Sequence, residues 1–295
     1  KIFKKCEEKS FSNPKILVDK KTIPQVKTNN PENISINEFD QDGISNANLT
    51  FLAEMEFDGL FGFETIATRL LKQFGKSSML DAFKKRDGDL PNSGKVGSNM
   101  QIAEKFIDGF EISAIEIMGN AKGISGFSVG HPKDSISLLP SFADSSVKTI
   151  EHQRTMIVST GKNASNKTLN VSLNSLWNCH SVVKNQGFVI LLAECLNGIG
   201  SDAFQQFIDG RLTIERIKGT SKYVDGMENL LYLSEIQKKF QVALVSILPE
   251  IYVKKLGMIS LLGVKKSMDY ILKNQGQRQK VQVIDDGARM LLRQN

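Results

Sequence analysis

The stretch Gly187-Phe-Val-Ile-Leu-Leu-Ala193 decides the fold class of this chain. A short run of almost entirely apolar residues is typical of a strand that is buried on both faces. The turn Asn197-Gly-Ile-Gly-Ser201 follows it, and a helical pattern begins at Ser201-Asp202. A buried strand that leads through a glycine-containing turn into a helix predicts one unit of an α/β domain with a parallel sheet.

The same alternation extends over the second half of the chain. Short β-branched runs separated by helical patterns imply parallel strands joined by right-handed crossovers. We therefore predict that residues 152–295 form a C-terminal α/β domain, a mainly parallel sheet flanked by helices. Its predicted strands are 155–159, 187–193, 241–246 and 280–284, and its predicted helices include 168–183, 228–240 and 267–274.

The first half is more polar at its start. Residues 1–48 are expected to form extended pieces and loops, with one short strand at Lys15–Val18. Further on, strands are predicted at 49–55, 112–118 and 127–129, with helices at 64–74 and 100–110. Two α/β domains with a ligand cleft between them are thus expected, 1–151 and 152–295, the first truncated because the chain opens at Lys1.

Composition excludes a disordered chain, a collagen-like fibre and a disulfide-stabilised miniprotein. Apolar residues make up 40% of the 295 residues and charged residues 24%, which is the balance of an ordinary globular chain. The longest strongly apolar run, 188–193, is far shorter than the roughly 20 residues of a membrane helix. Cys6, Cys179 and Cys195 lack CxxC spacing, which favours a reducing compartment. We expect a cytoplasmic protein.

The net charge of +6 invites a nucleic-acid interpretation. However, the lysines are scattered, and no arginine-rich or aromatic-interleaved stretch is present, so a solvated basic surface is favoured over a specific nucleic-acid site. No membrane partner is expected either. The expected partner is a small-molecule carboxylate, with assembly into a homo-oligomer left open.

Ligands of open parallel sheets collect beyond the carboxyl ends of the strands. This rule directs attention to the loops 159–166, 194–201, 246–250 and 285–289. The turn at 197–201 has two interpretations: an anion site at a helix start, or a plain strand-to-helix turn capped by Ser201. The group at 285–289 has two carboxylates and an arginine, which suits a ligand, a partner domain or a solvated turn. Substrate-binding candidates in these loops are Lys162, Asn163, Glu194, Asn197, Gly198 and Ser201.

Charged residues near the first strand form a second candidate site. Glu54, Glu56 and Asp58 alternate, which would place them on one face as an acid–base or cation site. The three histidines, His131, His152 and His180, are too far apart in sequence to suggest a local metal site, so no metal ligands are predicted. The GxGxxG, phosphate-loop and GxSxG patterns are absent.

A series of segments in the second half follows the order seen in a known family. The segments are Met156–Thr160, Asn166–Leu169, Val183–Cys195, Gly198–Phe204, Val242–Pro249 with Lys255–Gly257, and Val281–Gly287. With them, the second half resembles the C-terminal domain of the nickel-dependent lactate racemase family, and fainter similarity extends forward to Phe57–Gly62. The resemblance implies two α/β domains with the active site between them. It also implies hydride transfer between the substrate Cα and a nickel-pincer nucleotide, tethered by a lysine and ligated by histidine.

The chain departs from the family at the positions that carry this chemistry. The resemblance places one catalytic histidine at Asp58 and the cofactor lysine near Thr68-Arg69, or at Glu54 in a second register. The family's substrate-side glutamine and lysine correspond to Val171 and Asn174. Since neither register supplies the lysine or the nickel-ligating histidine, the cofactor stays unknown.

Two functions of different class follow. In the first, the chain is a lactate racemase-like isomerase, a racemase or epimerase of a 2-hydroxy acid or related small carboxylate. Asp58 and Arg69 would then be its catalytic residues, and Asn174 would join the loop residues in holding the substrate. In the second, it is a non-catalytic small-molecule-binding or protein-interaction module derived from that family.

Overall fold

The computed structural model describes residues 15–18, 23–28, 35–38, 49–161, 164–276 and 278–295. These residues divide into two compact units, those up to Leu49 together with Phe110–Ile112, and Thr50–Gly109 together with Ser113–Asn295. The predicted domain boundary at 151/152 lies inside the second unit and stays a prediction. Within the described ranges, no helix has the length and apolarity needed to cross a membrane.

Among its described residues, the first unit contains two short parallel strands and one helix. Strand β1 (Lys15–Val18) pairs with β2 (Ser35–Glu38), with Lys15 opposite Ser35. Helix α1 spans Ile23–Thr28. The predicted strand at 15–18 is confirmed, whereas α1 and β2 lie where no further regular element was expected. Pro24 suits the first turn of α1. The φ angle of proline is preset for a helix, and proline loses no helical hydrogen bond at that position, because N–H groups of the first turn have no acceptor within the helix.

A four-stranded sheet and its helices follow. The strand order is β4-β3-β5-β6, with antiparallel pairs β3–β4 and β5–β6. The predicted elements are found here, together with two helices and two strands that were not predicted: α3, α5, β4 and β7. The elements are β3 (Leu49–Asp58), β4 (Gly62–Glu64), α2 (Ile66–Phe74), α3 (Lys76–Lys84), α4 (Met100–Ile107), β5 (Ile112–Asn120), β6 (Gly123–Gly130), α5 (Leu139–Ser146) and β7 (Val147–Ile150).

The turn from β3 to α2 is fixed by local hydrogen bonds. The Asp58 Oδ1 atom accepts the backbone N–H groups of Leu60 (2.9 Å) and Phe61 (2.7 Å), which shapes the β3–β4 turn. Helix α2 then begins with a capping box, in which Thr65 and Thr68 bond each other's backbone N–H groups. These caps hold the start of α2 directly beside the end of β3.

The C-terminal half is built on a five-stranded, fully parallel sheet with strand order β11-β10-β9-β8-β12. This confirms the predicted α/β class. A further strand, β13, pairs in parallel with β7. The elements are β8 (Gln153–Ser159), α6 (Leu169–Trp177), β9 (Val183–Leu192), α7 (Asp202–Ile208), α8 (Ile214–Lys218), α9 (Met227–Gln237), β10 (Gln241–Val245), α10 (Glu250–Lys255), β11 (Ile259–Leu261), α11 (Gly263–Gln275), β12 (Val281–Ile284) and β13 (Leu291–Gln294).

Both faces of this sheet are buried, as the continuous apolar strands require. In β9, Val189 and Leu191 point into the larger core, which contains the fully buried Trp177 of α6. Phe188 and Ile190 point the other way, into a smaller core that includes Ile271 of α11. The sheet is therefore the wall between two apolar layers.

Helix α6 ends six residues earlier than its sequence predicts. The expected helix ran to residue 183, but the helix stops at Trp177 and β9 begins at Val183. The side-chain amide of Asn178, just beyond the helix end, donates to the main-chain oxygens of Gly287 (3.0 Å) and Ala288 (3.3 Å). The helix thus ends at a contact with the loop after β12, which lies more than a hundred residues further along the chain. The sequence around residue 178 alone does not predict this contact.

Gly287 tests how tightly the loop after β12 packs. A Cβ on Gly287 would lie 2.6 Å from Val158 Cγ1 and 3.1 Å from Ser175 Cβ. We expect Gly287→Ala to lower the free energy of unfolding by about 1–3 kcal/mol, because the loop must shift to make room. Urea denaturation measures this. The control is Gly109→Ala, where a Cβ meets open space, and equal losses in both variants would contradict the tight packing.

Candidate active site

A buried lysine lies at the centre of a charged network on β3, β4 and α2. Lys72 Nζ is 2.6 Å from Asp58 Oδ2 and 2.6 Å from Glu64 Oε2. The exposed fractions of these three side chains are only 23%, 7% and 21%. The β3–β4 turn and the capped start of α2 place both carboxylates against the last turn of the helix.

Arg69 extends this network along β3. Its Nη2 atom donates to Glu56 Oε2 and to the main-chain oxygen of Glu54, both at 2.9 Å. Its Nε atom lies 3.3 Å from Glu64 Oε1, so Glu64 joins Arg69 to Lys72. The alternation noted in the sequence thus places Glu56 and Asp58 of β3 each beside a cation, Arg69 and Lys72 respectively.

The loop after β12 reaches the same strand. Arg289 Nη2 lies 2.9 Å from Glu54 Oε1 and 3.1 Å from Glu54 Oε2. Of the three interpretations that the sequence left open for residues 285–289, the structure shows a contact with the N-terminal part of the chain. Arg69 and Arg289 are brought together at Glu54 although they are distant in sequence.

Burial and charge act in opposite directions on the carboxylates and on the lysine. Burial by itself raises the pKa of Glu64, but the Lys72 ammonium and the Arg69 guanidinium outweigh it and hold that pKa well below its usual range. Burial by itself lowers the pKa of Lys72, but Asp58 and Glu64 reverse this and raise it. Lys72 and Glu64 are therefore charged at neutral pH. Glu56 differs, because burial raises its pKa more than Arg69 lowers it.

Glu228 of α9 is a titratable group that the sequence analysis missed. Its side chain is buried, with 5% exposed, and its Oε2 atom accepts a 2.9 Å hydrogen bond from the Tyr223 hydroxyl. Burial raises the pKa of Glu228 to about 7, although the charge of Lys72 opposes that shift. An acid at the start of a helix is usually a surface residue whose negative charge interacts favourably with the positive end of the helix dipole. The signal of a special role was the apolar sequence that follows it.

Of the predicted substrate-binding residues of the C-terminal half, Glu194 and Ser201 form hydrogen bonds with neighbouring parts of the chain. Glu194 bonds Asn166 through both its backbone N–H (2.6 Å) and its side chain (3.3 Å). Ser201 caps α7 by accepting the N–H of Phe204, in agreement with the plain strand-to-helix turn.

The contacts of the other residues in that prediction differ from one residue to the next. Asn197 donates its backbone N–H to Lys167 O (2.8 Å), and Gly198 takes the left-handed conformation that its turn needs. Asn174 Oδ1, on α6, is buried without a hydrogen-bond partner in the described part of the chain. Lys162 and Asn163 lie outside the described residues.

Comparison with known proteins now identifies the fold. Residues 151–292 match the family model of the lactate racemase C-terminal domain. This match covers just under half of the chain, and it shows that residues 151–292 are a domain of the lactate racemase C-terminal type. No curated protein matches the chain with significant similarity.

Solved structures extend the likeness beyond that half. The lactate racemase apoprotein from Thermoanaerobacterium thermosaccharolyticum superposes with a TM-score of 0.76 at 14% identity, over 99% of this chain and 81% of that one. A Thermotoga maritima protein gives a TM-score of 0.56 at 9% identity, over 85% of this chain and 68% of that one. At these identities the likeness shows the fold alone. It supports a racemase-like fold that includes the N-terminal part.

The racemase resemblance implies a nickel-pincer cofactor, but the described residues do not fit it. Asp58, at the position of a family histidine, is committed to Lys72 and to two backbone N–H groups. At the lysine position, Thr68 belongs to the capping box and Arg69 is bound to glutamates. Glu54, the position in the other register, binds Arg289.

The remaining metal-ligating side chains do not repair this misfit. His180 is half-buried, with its Nδ1 atom 2.7 Å from Trp177 O, and loss of solvent around the ring lowers its pKa to about 4. Burial raises the pKa of Cys179 to about 12 and that of Cys195 to about 11, so both stay protonated. Over the described ranges, no group of three or more histidine, cysteine, aspartate or glutamate side chains is placed to hold a metal ion.

Lys72 carries a stability prediction. Replacing it with methionine leaves Asp58 and Glu64 without their shared cation in a largely buried position. We expect Lys72→Met to lower the free energy of unfolding by about 3 kcal/mol, the usual cost of breaking a buried ion pair from one side. The control is Lys76→Met, because Lys76 is exposed on α3. Equal urea midpoints for the two variants would show that the network contributes little.

Glu228 carries a pH prediction. The pKa of Glu228 in the folded chain, about 7, exceeds its ordinary value of 4.5, so the folded chain binds this proton more tightly than the unfolded chain. Glu228 therefore lowers stability as the pH rises from about 4.5 to 7, and the loss persists above pH 7. Relative to the wild type, Glu228→Gln should gain on the order of 3 kcal/mol across that window.

Urea denaturation between pH 4.5 and 8 measures this gain. Glu235→Gln on the same helix is the matched control, since hydrogen bonds from Lys218 and Lys238 lower the pKa of Glu235. The control should therefore lose stability relative to the wild type as the pH rises. A gain for Glu228→Gln that does not change with pH would refute a neutral-range titration of Glu228.

Proposed function

We propose that this chain is an isomerase, a racemase or epimerase of a 2-hydroxy acid or a related small carboxylate, that works by proton transfer. One observation carries the proposal. On a racemase-type fold, Asp58, where the resemblance places a family histidine, belongs to a largely buried ionic network beside Glu228, an acid whose pKa is raised to about 7. Acid–base groups tuned toward neutral pH are typical of catalytic sites.

The chemistry needs one group to remove a proton and another to return it. A carboxylate would take the Cα proton of the substrate, and the electron pair left behind would move onto the substrate carboxylate as an enediolate. A protonated acid on the opposite side would then deliver a proton to Cα with inverted configuration. The charges of Asp58 and Glu228 both raise the pKa of Lys72. We assign these two residues the roles of proton acceptor and proton donor.

Arg69 supplies the positive charge that an enediolate requires. A guanidinium presents several N–H donors in a fixed plane, which matches two carboxylate oxygens. Arg69 is about one-third exposed, so solvent reaches part of its guanidinium. The assignment keeps the two catalytic residues predicted from the sequence, Asp58 and Arg69, and adds Glu228.

Deuterium exchange at Cα is the direct test. The chain is incubated in D₂O with enantiopure lactate and with larger 2-hydroxy acids, and loss of the Cα proton is followed by proton NMR alongside chiral chromatography. We expect exchange together with formation of the other enantiomer. Glu228→Gln should slow it by about 100-fold or more, the usual contribution of a general acid or base. Glu235→Gln should leave it unchanged.

A second function, a non-catalytic binding module, is favoured by a different observation. Lys72, Arg69 and Arg289 each lie within ion-pair distance of a carboxylate of the same network. A charge-compensated network of this kind suits a structural role. Saturable binding of a 2-hydroxy acid without Cα exchange would reject the isomerase and support this alternative.

A further inference from the structure

Two arginines from different parts of the chain converge on one glutamate. Arg69 of α2 donates to the main-chain oxygen of Glu54 at 2.9 Å, and Arg289 contacts both side-chain oxygens of Glu54. The exposed fractions are 33% for Arg69, 36% for Arg289 and 38% for Glu54. A small solute can therefore reach all three side chains from solvent.

The contact between Arg289 and Glu54 uses only one nitrogen atom of the guanidinium group. Both glutamate oxygens share the single atom Nη2 of Arg289, instead of forming the two parallel bonds of a fork-shaped pair. Arg289 Nε is buried and has no hydrogen-bond partner within the described ranges. Arg69 Nε likewise makes no hydrogen bond there, although Glu64 Oε1 lies 3.3 Å away.

Glu54 reaches this position because β5 leaves room for it. Gly119 of that strand lies beside the Glu54 carboxylate, directly after the register shift between Met118 and Gly119. A Cβ on Gly119 would lie 2.7 Å from Glu54 Oε1, so a larger residue would push the carboxylate aside. Glu54 thus lies against open backbone on one side and against Arg289 on the other.

We propose that Arg289, assisted by the positive charge of Arg69, binds the carboxylate of a small ligand, and that the Glu54 carboxylate occupies Arg289 until the ligand displaces it. The unused Nε–H group of Arg289 completes the fork when the ligand carboxylate enters. The inference rests on the proposed function for the class of ligand, and it adds the side chains that hold the ligand. These differ from Val171 and Asn174, which stand at the family's substrate-side positions.

The charges around the two arginines select a monoanion. Glu56 and Glu64 remain beside Arg69 after Glu54 has moved away. A dianion such as sulfate would face more repulsion from these carboxylates than a monocarboxylate would. Its tetrahedral oxygens also match the planar fork of a guanidinium less well than a carboxylate does.

Removing the competing charge tests the proposal. Isothermal titration calorimetry of the full chain with sodium lactate and sodium propionate, at constant ionic strength, compares the wild type with Glu54→Gln. We expect Glu54→Gln to bind both carboxylates more tightly by on the order of tenfold, since the ligand no longer displaces a charged group. Sulfate should gain less.

Two further variants define the site. Arg289→Lys keeps the charge but loses the fork, and it should weaken lactate binding in the Glu54→Gln background by about tenfold. The control for the charge change is Glu250→Gln on α10, whose carboxylate pairs with Lys254 on an exposed surface. Glu250→Gln should bind both carboxylates as the wild type does. Circular dichroism checks that each variant is folded.

The outcomes separate this inference from the proposed function. Tighter lactate binding in Glu54→Gln without Cα exchange supports the carboxylate site and rejects the isomerase. Cα exchange that is insensitive to both Glu54→Gln and Arg289→Lys supports the isomerase and overturns this site. Equal affinity in the wild type and in Glu54→Gln, or no carboxylate binding by either, also overturns the site.

Discussion

The ammonium group of Lys72 is the constraint on which the charged region depends. A lysine removed from most of its water needs carboxylates at hydrogen-bond distance, and here it has Asp58 and Glu64. Asp58 can serve only because its other oxygen also shapes the turn that begins β4. One side chain therefore links the local turn, the start of α2 and the pairing of charges. Arg69 and Glu228 are arranged around this fixed centre.

The fold was predictable where hydrophobic pattern alone determines structure. Residues 187–193 are apolar without interruption because both faces of β9 are covered, and that pattern needs no knowledge of the neighbouring strands. Elements that depend on distant partners were not predictable. The three-residue strand β11 is too short to show a period. The end of α6 depends on the bonds that Asn178 makes to the loop after β12.

The candidate site shows the same division. Asp58 and Arg69 were found through resemblance to a family, and the alternation of acids along β3 is visible in the sequence itself. Lys72 was missed because a lysine near the end of a short helix normally lies in solvent. Glu228 was missed for a similar reason, and only packing shows that it is buried. The role of Arg289 could not be decided, since its partner Glu54 lies in the first sheet.

The pairing of the last strands has a consequence for how the chain is made. β12 adds to the sheet beside β8, and β13 pairs with β7, so two late strands join two strands that lie more than a hundred residues earlier. During synthesis, β8 therefore lacks one of its two neighbours until residues 281–284 have left the ribosome. Such late, long-range pairing makes folding slow and leaves a strand edge exposed meanwhile.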